Sequence, residues 1–146
     1  GFFLRAESTY NVASEIDRLK SSGGNGELFM KSYGGISLHN QSHGESFMAI
    51  MKNRFSGHGL YILDEPEAAL SPSRQMAMLA LMKRLVDQDS QFIISTHSPI
   101  LMAYPEAEII ELDETGFRST PYKETAHYRL TNYFLNNTEM MLKELM

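Results

Sequence analysis

Three groups of residues carry the chemistry this sequence offers. The first is the acid pair Asp64-Glu65, which follows the apolar run at residues 60–63 and precedes Pro66. Two carboxylates at the end of a rigid strand leave it in different directions and can take different tasks. One holds a hard cation such as Mg²⁺ through oxygen or water ligands; the other orients and deprotonates an attacking water. A polar turn is the plain alternative, because turns collect acids. The second is His97, 32 residues beyond Glu65 and again just after an apolar run. A neutral imidazole there can hydrogen-bond a terminal phosphate or the attacking water, although a solitary histidine is more often a packed or surface residue. The third is Gln41-Ser42-His43-Gly44-Glu45-Ser46. Ser42 and Glu45 fit a capping box, the hydroxyl reaching the third helical amide and the carboxylate reaching back. A capped helix start with a glycine also offers unpaired N–H groups and partial positive charge to a phosphate. A metal-hydrolase site made of Asp64, Glu65 and His97, unrelated to nucleotides, is a further use of the same donors.

The elements that must position these groups are readable from periodicity. Residues 60–63 and 91–95 read as buried strands, one ending in Asp64-Glu65 and the other leading into Thr96-His97-Ser98. Between them, Ser71-Pro72 is a helix start, a capping hydroxyl followed by proline at the first helical position. Met78, Leu79, Met82, Leu85 and Val86 carry that helix to about Asp87. Before them, Phe47, Ile50, Met51 and Phe55 share one face of a helix that starts near Gly44. Residues 2–4 are a short strand, and Val12, Ile16 and Leu19 mark an amphipathic helix over 11–20 that the run 21–26 breaks. Residues 108–112 form another strand, turning into a short partner near Phe117-Arg118, and the tail from Thr125 makes two short helices interrupted at Asn136-Asn137. Strand, helix, strand is the order of an α/β domain whose largely parallel sheet is flanked by helices. In such sheets ligands sit beyond the carboxyl ends of the strands, where Asp64, Glu65 and His97 fall.

Composition narrows the classes. With no cysteine there are no disulfides, thiolate zinc sites or cysteine nucleophiles. Thirteen Lys and Arg against 18 Asp and Glu give a net charge of −5, which argues against a broad nucleic-acid surface while allowing a local basic patch. The longest apolar run is the seven residues 76–82, whereas a membrane span needs about 20. No secretory leader is visible; with no membrane segment, and with Thr96-His97-Ser98 after the second buried strand, a soluble, cytoplasmic role is expected. The chain opens on Gly1 rather than Met, which suggests a processed, tagged or truncated product. His39, His43, His58 and His127 share no ligand spacing. The methionines, among them Met48, Met51, Met76, Met78, Met82 and Met102, read as adaptable core filler. Arg129 and Lys143 read as solvated helix faces.

Taken in order, these segments resemble the second half of an ABC-type ATPase, a P-loop NTPase. Ser42-His43-Gly44-Glu45 resembles the ABC signature, with His43 in place of the first glycine. Residues 60–65 resemble the Walker B strand and its catalytic glutamate. Ala69-Leu70-Ser71 occupies the D-loop position, with Ser71 where an aspartate usually falls, and His97 matches the switch histidine. The strings around them, Ser95-Thr96-His97-Ser98-Pro99 and His127-Tyr128-Arg129-Leu130 included, are similar to a group of bacterial predicted ATPases rather than to transporter subunits. Glu7 falls where the Q-loop glutamine would, and no long arm is inserted between it and Ser42. The resemblance covers nearly the whole chain and divides it into a helical and signature region at 1–56, a sheet region at 57–122 and C-terminal helices at 123–146. It implies a partial P-loop NTPase fold, with ATP and Mg²⁺ as cofactors. The partner is a second copy or another NTPase lobe, arranged head-to-tail with ATP between the phosphate loop of one and Ser42, His43, Gly44 and Glu45 of the other. Asp64 would hold Mg²⁺, Glu65 would polarise the water and His97 would contact the γ-phosphate. No Gly-x-x-x-x-Gly-Lys-[Ser/Thr] occurs in the sequence, and that loop supplies the amide cradle, lysine and hydroxyl for the phosphates. The resemblance places it upstream of Gly1, so the chain reads as the C-terminal part of an ATPase. The alternative is a non-catalytic interaction or dimerisation module that completes a nucleotide site on a partner lobe. DNA maintenance, defence against phage and transport-coupled work are all compatible with either.

Overall fold

Three short runs rich in apolar residues pair side by side in parallel: β1 (Phe2–Arg5), β2 (Leu60–Asp64) and β3 (Gln91–Ser95), in that order across the sheet. They belong to a computed structural model that describes residues 1–6, 43–114 and 116–146. The described residues fall into two compact units, Gly1–Thr96 and His97–Met146. The helix expected at 11–20 and the break at 21–26 lie outside them.

In the first unit the register aligns Phe3 with Ile62 and Ile62 with Ile93, and at the far end Arg5 with Asp64 and Asp64 with Ser95. Successive strand residues point to opposite faces, so the sheet sorts its side chains cleanly. Leu4, Tyr61 and Leu63 turn inward and are buried. Phe55 stacks on Tyr61 with ring centroids 4.0 Å apart and reaches Phe2 and Phe92 on the same face. Tyr61 carries its hydroxyl into this core by exchanging two 2.7 Å hydrogen bonds with the backbone of Ser56, accepting from its N–H and donating to its carbonyl.

Helix α1 (His43–Arg54) places Phe47, Ile50 and Met51 in that core, each at 1% exposure or less. Full burial of such side chains contributes about 1.5–3 kcal/mol apiece. Helix α2 (Pro72–Val86) buries Gln75, Met78, Leu81, Met82 and Leu85, and Gln75 satisfies its amide by donating to the Leu70 carbonyl at 2.9 Å. Val86, expected inside, is exposed and Leu81 takes its place, because Leu81 lies four residues before Leu85 on the buried face while Val86 is turned about 100° away from it. Met48, Met51, Met78 and Met82 are core residues as expected, whereas Met76 is exposed.

Two sequence expectations need correction. β2 and β3 are not buried on both faces: Phe3, Ile62 and Ile93 form an outward row at 66%, 37% and 52% exposure. A continuous apolar run signals a doubly covered strand, but the described helices cover one face. The Ser71 hydroxyl also does not cap α2. It lies 3.1 Å from the Ser73 hydroxyl and makes no side-chain cap bond.

In the second unit α3 (Pro99–Met102) precedes a hairpin of β4 (Ile110–Asp113) and β5 (Gly116–Ser119), paired antiparallel. Glu111 faces Arg118 across it, with a guanidinium N–H donating to the carboxylate at 3.0 Å. Helix α4 (Ala126–Asn136) starts at Thr125, whose buried hydroxyl accepts from the Tyr128 N–H at 3.3 Å and donates to the Tyr122 carbonyl at 2.8 Å. The tail breaks where the sequence says, giving α5 (Thr138–Leu145). The Asn136 and Asn137 amides donate to the carbonyls of Asn132 and Tyr133, at 2.7 and 2.9 Å, so the break satisfies the helix end. Among the described residues no helix is long and apolar enough to cross a membrane.

Candidate functional site at the carboxyl end of the central strand

β2 delivers the acid pair to the sheet edge, and the two carboxylates meet different surroundings. Asp64 is the last residue of the strand and lies on its open face. Arg5 is its register partner on β1, and the guanidinium Nε donates to Asp64 Oδ2 at 2.7 Å. A partly exposed pair of this kind adds only about 0–1 kcal/mol to stability; its effect is on charge, since a cation already stands against this carboxylate.

Glu65 follows in the left-handed conformation, φ 47° and ψ 52°. A branched or long side chain rarely sits there, and a residue before proline is normally extended. What holds it is backbone on both sides. Its N–H donates to the Ser95 carbonyl at 2.9 Å, extending the parallel ladder one residue past the strand, and its own carbonyl accepts from Ala68 at 3.0 Å. Buried Pro66 then starts a 3₁₀ turn, Pro66–Ala68. The Glu65 side chain is left exposed at the edge. Arg5, Ala6, Asp64, Glu65 and Ala68 line a cleft of ≈ 80 Å³. That is room for a few waters, well short of the 300–1,000 Å³ typical of small-molecule pockets.

The turn is tied to the neighbouring strand a second time. Thr96, just past β3, donates its hydroxyl to Glu67 at 2.7 Å. The carboxyl ends of β2 and β3 are therefore fastened by one backbone and one side-chain hydrogen bond.

The signature-like segment has its own fastening. Gly44 is buried in the first turn of α1, and a Cβ there would lie 2.6 Å from the Ala69 carbonyl and 2.7 Å from the Arg74 guanidinium. Nothing larger than hydrogen fits. Beside it, Glu45 pairs with Arg74 of α2 at 3.0 Å. The start of α1 thus packs against Ala69 and the first turn of α2. His43 is the first residue of α1; Ser42 and Glu7 lie outside the described residues, and the capping-box partner of Glu45 with them.

His97 opens the second unit. Its Nδ1 lies 3.1 Å from Nε2 of His127, and both rings are exposed. Ser98 caps α3, accepting from Ile100 and Leu101 at 3.1 and 3.3 Å, with Pro99 at the first helical position.

Arg5, Glu67, Arg74 and His127 are the partners that sequence reasoning missed. Arg5 carries no signal until β1 is known to pair with β2 in that register. His127 did carry one, being part of the string His127-Tyr128-Arg129-Leu130 that resembles predicted ATPases. Among the described residues no group of three His, Cys, Asp or Glu side chains is arranged to hold a metal ion.

No curated protein matches the chain. The profile of the AAA ATPase domain matches residues 11–102, a span that includes Gly44, Glu45, Asp64, Glu65 and His97 and excludes Glu7 and His127. It takes in α1, β2, α2, β3 and α3, and with them the parallel sheet edge that carries the acid pair. With well over half of its length matched, the chain belongs to the AAA ATPase domain family.

Proposed function

We propose that this chain is the signature-bearing part of an ATP-hydrolysing, ABC-type ATPase that acts with a phosphate loop supplied outside these 146 residues. The observation that carries the reading is the parallel pairing of β2 with β3, Asp64 in register with Ser95. The acid pair and the strand that leads to His97 end at one sheet edge, where α/β domains bind ligands.

The donors at that edge suit Mg²⁺. It takes one or two carboxylates and completes its octahedron with water and substrate phosphate, and the cleft beside Asp64 and Glu65 is open to water. Asp64 would hold it, in competition with Arg5. Bound there, the ion would neutralise negative charge on the phosphate oxygens. Glu65 stands one residue further out, where its exposed carboxylate can accept a proton from the attacking water. His97 donates to the γ-phosphate. By the resemblance, the segment Ser42, His43, Gly44 and Glu45 serves a nucleotide held by a partner, in a head-to-tail pair of two copies or of this chain and another NTPase lobe. Glu7 stands at the Q-loop position.

Phosphoryl transfer depends mostly on positioning and electrostatics, so removing one positioned base is severe. In the protein together with its phosphate loop, Glu65→Gln lowers turnover by roughly 10²–10⁴, the range for a general base, and nucleotide binding persists. Unchanged turnover removes Glu65 from this role.

The missing phosphate loop favours a second reading of the chain by itself, as an interaction module without catalysis. Calorimetry with Mg-ATP separates the two: micromolar binding by this chain alone contradicts the module, and silence supports it.

A further inference from the structure

The second unit brings together two imidazoles from residues 30 positions apart. Nδ1 of His97 is 3.1 Å from Nε2 of His127, the ring centroids are 4.9 Å apart and the planes are inclined by 59°. Stacked rings would be nearly parallel. The inclination and the nitrogen–nitrogen distance are those of a hydrogen bond.

Such a bond needs one proton between the two nitrogens, and a neutral imidazole has only one ring proton to give. The direction of the bond therefore fixes both tautomers. If Nδ1 of His97 donates, its Nε2 carries a lone pair. If Nε2 of His127 donates, His97 accepts at Nδ1 and carries its own proton on Nε2. Which nitrogen of a histidine is protonated is set by the bond the other one makes.

Both rings hang from fixed mounts. His127 is the second residue of α4, whose start is held by the Thr125 cap and by Glu111, which accepts the Ala126 N–H at 2.9 Å. His97 immediately precedes the Ser98 cap of α3. The Tyr122 hydroxyl, from the turn before α4, donates to the Pro99 carbonyl at 2.9 Å and ties the two helix starts together.

We propose that His127 is a positioning residue: its Nε2–H donates to Nδ1 of His97 and holds His97 in the tautomer protonated on Nε2. This rests on reading His97 as the γ-phosphate contact. A phosphate oxygen is an acceptor, and of the two neutral forms only the Nε2–H form presents a donor from that nitrogen. The other form sets a lone pair against a lone pair.

Long-range ¹H–¹⁵N correlation of the labelled full chain reads the tautomer of the neutral rings, with His97→Gln providing the assignment. Expected is an unprotonated Nδ1 and a protonated Nε2 on His97. His127→Phe draws the two shifts together as both tautomers populate, and His127→Gln, which keeps an N–H donor, separates them again. Both histidines are exposed, so neither change opens a cavity. A His97 protonated on Nδ1, or shifts indifferent to His127→Phe, overturns the proposal. The second measurement is turnover in the presence of the phosphate loop. His127→Phe lowers kcat by roughly tenfold, the equivalent of about one net hydrogen bond, with KM little changed and most of the loss recovered by His127→Gln. Hydrolysis indifferent to His127→Phe overturns the positioning role. Complete absence of hydrolysis, with the tautomer as expected, removes the phosphate reading and leaves the ring assignment standing.

Discussion

Glu65 holds a left-handed backbone at the site, and that strain can be measured apart from the carboxylate it presents. Glu65→Ala and Glu65→Gly both delete the side chain, so any contact of the carboxylate is lost equally. They differ in what the backbone tolerates. For an L-residue the left-handed region costs about 1–2 kcal/mol, which alanine keeps and glycine escapes. Against this, glycine loses about 0.5–1 kcal/mol more on folding through its unfolded-state freedom. The balance leaves the glycine variant more stable than the alanine variant by about 0.5–1 kcal/mol. For a unit of the size of Gly1–Thr96, that is about 2–8 °C in Tm, readable by calorimetry or by urea midpoints at equal slope. Under the proposed function both variants lose turnover alike. A glycine variant more stable than the alanine variant, with turnover lost equally in both, is the mark of backbone strain held at a functional site. Equal midpoints, or a more stable alanine variant, would refute the claim that the turn forces this backbone on Glu65.

Three further outcomes follow from specific contacts. Gly44→Ala destabilises the first unit by about 1–3 kcal/mol, the usual cost of overpacking, because the new methyl meets the Ala69 carbonyl at 2.6 Å; an unchanged urea midpoint would show that α1 can move away. Arg5→Met leaves stability within about 1 kcal/mol, as expected for a surface pair, but tightens Mg²⁺ binding at Asp64, followed by amide shifts of residues 64–65 during titration; weaker or unaltered binding removes Arg5 as the competing cation. Glu111 gives a pH signature. The Ala126 N–H, then the Thr120 hydroxyl and Arg118, hold its carboxyl below its ordinary value of 4.5. A lowered folded-state value means that its contribution is complete above 4.5 and is lost as the pH falls through the folded value. Glu111→Gln therefore flattens the acid limb of unfolding below pH 4.5 and leaves the slope at neutral pH alone; an unchanged acid limb contradicts the assignment.

How much of this was legible in the sequence differs by element. The apolar run ending in Asp64-Glu65 announced β2 and its polar end, since strand type and length follow from local composition. The face it leaves open did not show, because burial depends on which other segments pack there. Ser71-Pro72 and Ser98-Pro99 carry the same helix-start signal, yet only Ser98 uses its hydroxyl as a cap. The difference lies in a neighbour: Ser73 offers Ser71 another hydroxyl. The acid pair was visible as candidate chemistry, whereas the left-handed turn at Glu65 was not, since no glycine or asparagine marks it. Arg5 and His127 became partners only through strand register and helix placement, which are properties of the fold rather than of any short window.

The outward row of Phe3, Ile62 and Ile93 gives contacts made on that face a temperature dependence. Three large hydrocarbon groups side by side cross the whole width of the three-stranded sheet, and water excluded from such a stripe is released more favourably on warming than on cooling. Any association through this stripe therefore strengthens on warming and loosens on cooling.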